Sequence, residues 1–385
     1  MKKNIARTIE QEISKYREGT SKKILFIWGP RRAGKTTVLK KIAASENLPI
    51  FNFDLISDRE KFPPDLAVLK KIASEHKLIL IDEVQNYPES TLALKILHDE
   101  LAVKIIATGS SELRQTSKDF DSLAGRFTQI FCLPASIFEI EKEVQTKAYD
   151  QNDFFNKLAT DAQLYGLYPE VYLSTASEDE KIDLLQNILD TYVLKDVIDI
   201  YNLKNTKLAK DILTKIALQI GSEVSVREIS SSLQANVVTV NSYIEIFIKN
   251  YILIPLPSFK TNLRRAVSEN RKLYFYDVGI RNILVKDFRP LELRPDAGGV
   301  FENFIVVELE KWRKILNIKK SLYFYREFGG KEIDIVLEDY HKNYVCIEIK
   351  RSTNGQAKNI FPLPHEILLL NPHNYQAMIK QALLS

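Results

Sequence analysis

Gly29-Pro30-Arg31-Arg32-Ala33-Gly34-Lys35-Thr36 sets two glycines, a lysine and a hydroxyl at the spacing G-x-x-x-x-G-K-[ST]. Residues of those types at that spacing bind phosphate. The glycines let successive backbone N–H groups curl around phosphate oxygens, and a helix that begins at the lysine adds the positive end of its dipole. Lys35 is then placed for the β and γ oxygens of ATP, or the β oxygens of ADP, and Thr36 for a Mg²⁺ ion, with Thr37 closing the run of contacts. Arg31 and Arg32, inside the loop, are expected to face solvent.

Hydrolysis needs an acidic partner for such a loop, and Leu78-Ile79-Leu80-Ile81-Asp82-Glu83 offers one at the end of an apolar run. Asp82 is the expected second contact to Mg²⁺. Glu83, one residue further along the pleat, is the candidate base that polarises the attacking water. The run VKIIATGSS, residues 103–111, ends in hydroxyls where a neighbouring strand would meet the same phosphates, and Ser110 is the candidate sensor of the γ-phosphate. Arg126, in LAGRF, is a candidate for stabilising transition-state charge, in cis or as a finger reaching a neighbouring subunit.

A second acidic set lies near the C-terminus: Glu302 in a helical run, Asp334 in EIDIVL, and Glu348-Ile349-Lys350 in the next strand-like run. Alternation along CIEIK places Glu348 and Lys350 on one face. Carboxylates converging there, with Asp334 and Glu348 as ligands, would bind one or two Mg²⁺ ions, and the lysine would orient a water that attacks a phosphodiester. Charged strand ends are also frequent in plain acidic pockets, so Lys350 is the residue that separates the two readings. The five histidines show no metal-ligand spacing. Cys132 and Cys346, each in an apolar run, fit buried reduced thiols.

These groups need elements to hold them, and 385 residues suffice for more than one core. With 45% hydrophobic and 27% charged residues the composition is that of a folded chain. No apolar run approaches the roughly 20 residues of a membrane span, and the charged, amphipathic N-terminus does not read as a secretory signal. A cytoplasmic protein without a membrane partner is expected. Between residues 23 and 133 five short apolar runs alternate with helical ones, which predicts an α/β domain over 1–137 whose parallel sheet is covered on both faces. Helical periodicity marks 138–202 as a lid or connector. Three amphipathic segments and two strands over 203–287 follow the winged-helix order, and a second α/β unit spans 288–385. The middle module is basic: residues 203–286 carry 13 Lys and Arg against 6 Asp and Glu, in a chain of net charge +4. Lys260, Arg264, Arg265, Arg271 and Lys272 fall in the loop between its strands, where phosphates of a nucleic acid would be met.

GPRRAGKTT, LILIDEVQ, ATGSS, LAGRF, LYGLYPE, LYFYDVGIRNIL, GGVFENFIVVEL and FYREFGGKEIDIVL together make nearly the whole chain similar to the AAA-type ATP-binding proteins of bacteria and archaea whose C-terminal domain has no assigned function. The resemblance implies a P-loop ATPase domain of AAA type, then a winged helix, then a restriction-endonuclease-like domain similar to PD-(D/E)XK nucleases. The activity expected is Mg²⁺-dependent ATP hydrolysis acting on nucleic acid, DNA favoured over RNA, with a homo-oligomer or protein partner compatible. Two other readings stay open: an ATPase switch whose C-terminal domain docks protein without catalysis, and a signalling or defence ATPase that holds ADP until triggered.

Overall fold

The computed structural model describes residues 5–110, 122–143, 151–175, 177–196, 205–260, 271–327, 329–352 and 359–384. The chain divides into two compact units, Met1–Ala135 with Lys249–Tyr251, and Ser136–Ile248 with Ile252–Ser385.

In the first unit α1 (Ile9–Glu18) buries Ile9, Ile13 and Tyr16, the one-face spacing of an amphipathic helix. The five apolar runs become β1 (Ile24–Trp28), β2 (Ile50–Asn52), β3 (Leu78–Asp82), β4 (Lys104–Gly109) and β5 (Phe127–Phe131). All pair in parallel, in the order β2-β3-β4-β1-β5. β1 and β3 are buried along their whole length, as continuous Ile, Leu and Phe require, whereas the edge strand β5 is half-exposed. Helices α2 (Lys35–Glu46), α3 (Ile56–Arg59), α4 (Leu66–Glu75) and α5 (Ser90–Asp99) make the crossovers. α4 starts where Asp65 accepts the N–H groups of Ala67 and Val68, a side-chain cap worth about 1 kcal/mol. β4 lies between β1 and β3, so its polar end sits between the phosphate loop and the acidic strand end.

The second unit opens with helices Ile137–Glu143, Gln151–Tyr165, Pro169–Tyr172 and Glu178–Ile188, the last held by a Ser177/Glu180 capping box. Helices Thr206–Leu218, Val226–Ser232 and Val237–Lys249 precede an antiparallel pair, β6 (Leu253–Pro257) and β7 (Arg271–Phe275). One boundary differs from the sequence expectation: Arg271 and Lys272 belong to β7 rather than to the loop before it. Arg264 and Arg265 lie outside the described residues. The unit ends with helix Ala297–Ile315, a sheet ordered β11-β10-β9-β8, and helix Tyr375–Leu384. β8 (Lys320–Arg326), β9 (Glu332–Asp339) and β10 (Tyr344–Ile349) are antiparallel neighbours. β11 (Glu366–Leu370), parallel to β10, was not expected, because Ile-Leu-Leu-Leu is too short a run for its period to reveal its state.

One contact in this unit carries a pH dependence. Gly166, at φ +71°, breaks the chain after helix Gln151–Tyr165, and a Cβ there would lie 1.9 Å from Asp277 Oδ1. The buried Asp277 carboxylate accepts the Leu167 N–H at 2.7 Å and caps helix Val278–Val285 through the Ile280 N–H at 3.3 Å. Burial outweighs these bonds and the nearby Lys311 ammonium, and pushes Asp277 up to about 6. An acid raised on folding takes up its proton earlier in the native state than in the unfolded chain, so its charge costs stability above pH 6 and the cost fades as pH falls toward 4. At roughly 1.4 kcal/mol per unit the change amounts to about 3 kcal/mol. Asp277→Asn should abolish it: urea unfolding from pH 7 to 4 should show the native chain gaining stability relative to the variant, and parallel curves would refute the assignment.

Candidate functional site

β1 delivers the chain to the phosphate loop beside β5, where the Cys132 N–H donates to Trp28 O at 2.7 Å. That approach leaves no room for a side chain at position 29, since a Cβ would lie 1.9 Å from Cys132 O. Gly34, at φ +103°, then opens α2 so that its first residue is Lys35. The Lys35 ammonium is buried and curls back onto the loop, donating to Gly29 O at 2.9 Å and Pro30 O at 2.8 Å. Burial draws it below its ordinary range, while the Glu83 and Asp82 carboxylates and Cys132 oppose that shift. Arg32 is exposed, as expected, but Arg31 is half-buried.

Three separate segments meet at this loop. Thr36 Oγ1 donates to Asp82 Oδ2 at 2.8 Å, and Thr108 Oγ1, from β4, donates to Asp82 Oδ1. The Glu83 N–H in turn donates to Thr108 Oγ1 at 3.3 Å. Glu83 leaves β3 in a left-handed conformation, φ +53° and ψ +45°, which turns its side chain off the strand's alternation. Gln85 Nε2 donates to Glu83 Oε2 and, at 3.0 Å, to Ser110 Oγ. The hydroxyl of Thr36 and the carboxylate of Asp82 are thus already adjacent, and this oxygen pair fits a Mg²⁺ ion held by few protein ligands beside a phosphate.

The structure adds residues that motif reading passed over. Arg7 is buried and donates to Ala33 O and Leu133 O, both at 2.6 Å, with the Cys132 sulfur 3.5 Å away. It ties the segment before α1 to the outer side of the phosphate loop. A second tie is the Glu10 carboxylate, which takes the Arg7 N–H at 3.1 Å and the Lys41 ammonium of α2 at 2.7 Å. Arg7→Ala should weaken ATP affinity about tenfold, the cost of one charge-assisted hydrogen bond, in a fluorescent-nucleotide titration; unchanged affinity would make the contact purely architectural. Gln85 carried no motif signal of its own, and Thr108, one of the hydroxyls that end its run, acquires its bond to Asp82 from what the sheet order places beside it.

Arg126 is engaged elsewhere. Its Nε donates to Asp99 at 2.7 and 3.0 Å, and the same contact, helped by His98, holds Asp99 down at about 2. As a charge stabiliser it would first have to leave Asp99.

The C-terminal acidic residues do converge, but ammonium groups meet them. Lys350 Nζ lies 2.9 Å from Glu348 Oε2, as the alternation of β10 predicts. Asp334 accepts the Ile349 N–H at 2.7 Å. Burial, then the Glu302 carboxylate and more weakly that of Glu348, push Asp334 up to about 7. Glu302 is held by Tyr274 and, at 3.0 Å, by Lys272, which also bridges to Glu332. Lys272 is therefore a correction to the expected basic loop: it is 1% exposed and neutralises two carboxylates, so it presents nothing to a nucleic-acid backbone. Arg271 pairs with Glu245 at 2.7 Å, and Lys260 is half-buried. Among the described residues no three His, Cys, Asp or Glu side chains are grouped as a metal site. Of the expected ligands, Asp334 takes the Ile349 N–H through Oδ2 alone, and both Glu348 carboxylate oxygens are buried with no hydrogen-bond partner among the described residues, the Lys350 ammonium lying 2.9 Å from one of them, so this pair of carboxylates fits a cation. Cys132 and Cys346 are buried thiols outside any disulfide, as expected, and no described helix is long and apolar enough to cross a membrane.

Comparison with known proteins finds three family matches along the chain. Residues 21–141 match the family described as AAA domain. Residues 156–291 and 297–364 match two families described as domains of unknown function, DUF8612 and DUF4143. An uncharacterized protein of Haemophilus influenzae is 25% identical over 333 residues, 81% of this chain and 79% of its own. An uncharacterized protein of Methanocaldococcus jannaschii is 24% identical over 354 residues, 86% of this chain and 76% of its own. Among solved structures, the Thermotoga maritima RuvB Holliday junction branch migration motor superposes with a TM-score of 0.30 at 13% identity, over 66% of this chain and 90% of that one. The Bacillus subtilis DNA clamp loader delta protein gives 0.26 at 13% identity, over 78% and 99%. With the phosphate loop after β1, the acidic end of β3 and the polar end of β4 between them, residues 21–141 form a P-loop domain similar to the AAA family.

Proposed function

We propose that this chain is a Mg²⁺-dependent ATPase whose hydrolysis drives or licenses an action of its C-terminal unit on nucleic acid. The observation that carries the ATPase reading is the junction of Thr36, Asp82, Glu83, Gln85, Thr108 and Ser110 by hydrogen bonds at the mouth of the phosphate loop. In this reading the loop from Gly29 to Thr37 cradles the phosphates, and Lys35 turns from its two loop carbonyls toward the β and γ oxygens. Thr36 and Asp82 hold Mg²⁺, which when bound neutralises phosphate charge. Glu83 orients and deprotonates the attacking water, and Ser110 donates to the γ-phosphate.

For the C-terminal unit the helix and sheet from Ala297 onward support a nuclease-like fold, and the three helices followed by β6 and β7 support a winged helix. A second reading, a non-catalytic docking module, is favoured by the buried ammonium group of Lys272, which bridges Glu302 and Glu332 of the acidic cluster. One experiment separates them: incubation of the purified chain with single- and double-stranded DNA and RNA, with Mg²⁺ or Mn²⁺, with and without ATP, beside Asp334→Ala and Lys350→Ala. Cleavage abolished by both substitutions establishes a nuclease. ATP turnover without cleavage under any condition leaves the ATPase switch, with protein as the partner to seek.

A further inference from the structure

Gln85 is 6% exposed, deep for an amide, and its contacts are unequal. Its Nε2 has two protons, and both are used: one goes to Glu83 Oε2 and the other to Ser110 Oγ at 3.0 Å. Its carbonyl Oε1 is buried with no hydrogen-bond partner among the described residues. Reversing the amide would set that carbonyl against the Glu83 carboxylate, so the charge of Glu83 dictates the orientation seen. The amide is thus held for its two donors at the expense of its acceptor.

Each donor leaves its acceptor poised. Ser110 Oγ, having accepted from Gln85, keeps its own proton to donate. Glu83, engaged at Oε2, keeps Oε1 for a water. The chain reaches these two groups from different strands, Glu83 after β3 and Ser110 after β4, and the amide spans the gap between the strand ends.

We propose that Gln85 is a positioning residue that couples recognition of the γ-phosphate at Ser110 to the orientation of Glu83. The inference rests on the roles of Glu83 and Ser110 proposed above. When a triphosphate is bound, the Ser110 hydroxyl donates to a γ oxygen and fixes the amide, which fixes Glu83 toward the water. With a diphosphate Ser110 lacks that acceptor, and the amide loses the restraint. Because coupling is reciprocal, a residue that carries the γ-phosphate signal to the base also contributes to preferring triphosphate over diphosphate.

The test uses the full-length chain with Gln85→Met, which keeps length and removes both donors, and Gln85→Asn, which restores an amide one methylene shorter. Steady-state ATPase, Kd values for ADP and a slowly hydrolysed ATP analogue, and melting temperature are measured together. Gln85→Met is expected to lower kcat about 30-fold with KM changed less than about threefold, and to erase most of the preference for triphosphate, with partial recovery in Gln85→Asn. Adding Ser110→Ala to Gln85→Met should cost less than the product of the two single losses, since the part of each that runs through the shared chain of contacts is lost only once, while the direct bond of Ser110 to the γ-phosphate is lost in addition. Native turnover in Gln85→Met, or losses that simply multiply in the double variant, would overturn the coupling. Glu83→Gln, measured in parallel, separates the two levels of failure. If it is inactive while Gln85→Met is normal, the coupling alone falls; if it hydrolyses ATP normally, the assigned base falls and the coupling with it.

Discussion

Glu83→Gln is expected to bind MgATP with near-native affinity and to hydrolyse it at least about 100-fold more slowly, the usual contribution of a positioned general base. The substitution keeps the size of the side chain and its capacity to accept from Gln85, but removes the carboxylate that takes a proton from water. It also removes the charge that fixes the Gln85 amide, so the loss should exceed that of an isolated base. Binding should survive because the phosphate loop, Lys35 and the Thr36–Asp82 pair are untouched. Single-turnover hydrolysis with a parallel nucleotide titration checks both halves. Normal turnover would move the base elsewhere, and lost affinity would make Glu83 a binding group.

Gly29→Ala should be as damaging for a different reason. The added methyl carbon would lie 1.9 Å from Cys132 O and 2.8 Å from its carbonyl carbon, both backbone atoms that no rotamer change can clear. Relief requires β1 and β5 to separate at the point where the Cys132 N–H meets Trp28 O, or the loop to move off its path. Either response displaces the N–H groups that would surround phosphate. We expect nucleotide affinity to fall by more than about 100-fold and unfolding free energy to drop by about 3 kcal/mol, in the range for overpacking against a fixed neighbour. Calorimetric titration with ADP and a thermal melt give the two values. An alanine variant that binds ADP normally would show the strand contact to be far softer than drawn.

The sequence revealed the α/β sheet and its phosphate loop because the central strands β1, β3 and β4 are buried on both faces and read as apolar runs between polar turns. ILFIW, LILID and KIIATG needed no partner to be recognised. Hydrogen-bond partners were less visible, since they depend on strand order. Nothing in the run from Val103 to Ser110 says that β4 pairs between β1 and β3, and that placement is what gives Thr108 to Asp82 and Ser110 to Gln85. Arg7 was hidden for the same reason, being 26 residues from Ala33 and 126 from Leu133 in the chain. Lys272 was misjudged because a basic pair beside a loop reads as solvated until the carboxylates of Glu302 and Glu332, remote in sequence, come to meet it. At the C-terminus the face shared by Glu348 and Lys350 was legible from alternation alone, whereas β11 follows a stretch with no periodic signal and became apparent through its pairing with β10.

The insertion of β4 between the strands that carry the phosphate loop and the acidic end bears on folding as well. Neither β1 with β4 nor β3 with β4 makes a complete site, so no fragment holding two of these three strands can bind nucleotide well. Parallel strands joined by helical crossovers acquire their pairings late, after long loops have closed. The site therefore exists in the assembled sheet and not in its precursors, and nucleotide binds the native state almost exclusively. At a ligand concentration of 100 times Kd such exclusivity adds about 2.7 kcal/mol to the stability of this unit. Under the proposed function, nucleotide would then be a structural brace for the sheet as well as a substrate, and the emptied domain the form most exposed to unfolding and proteolysis.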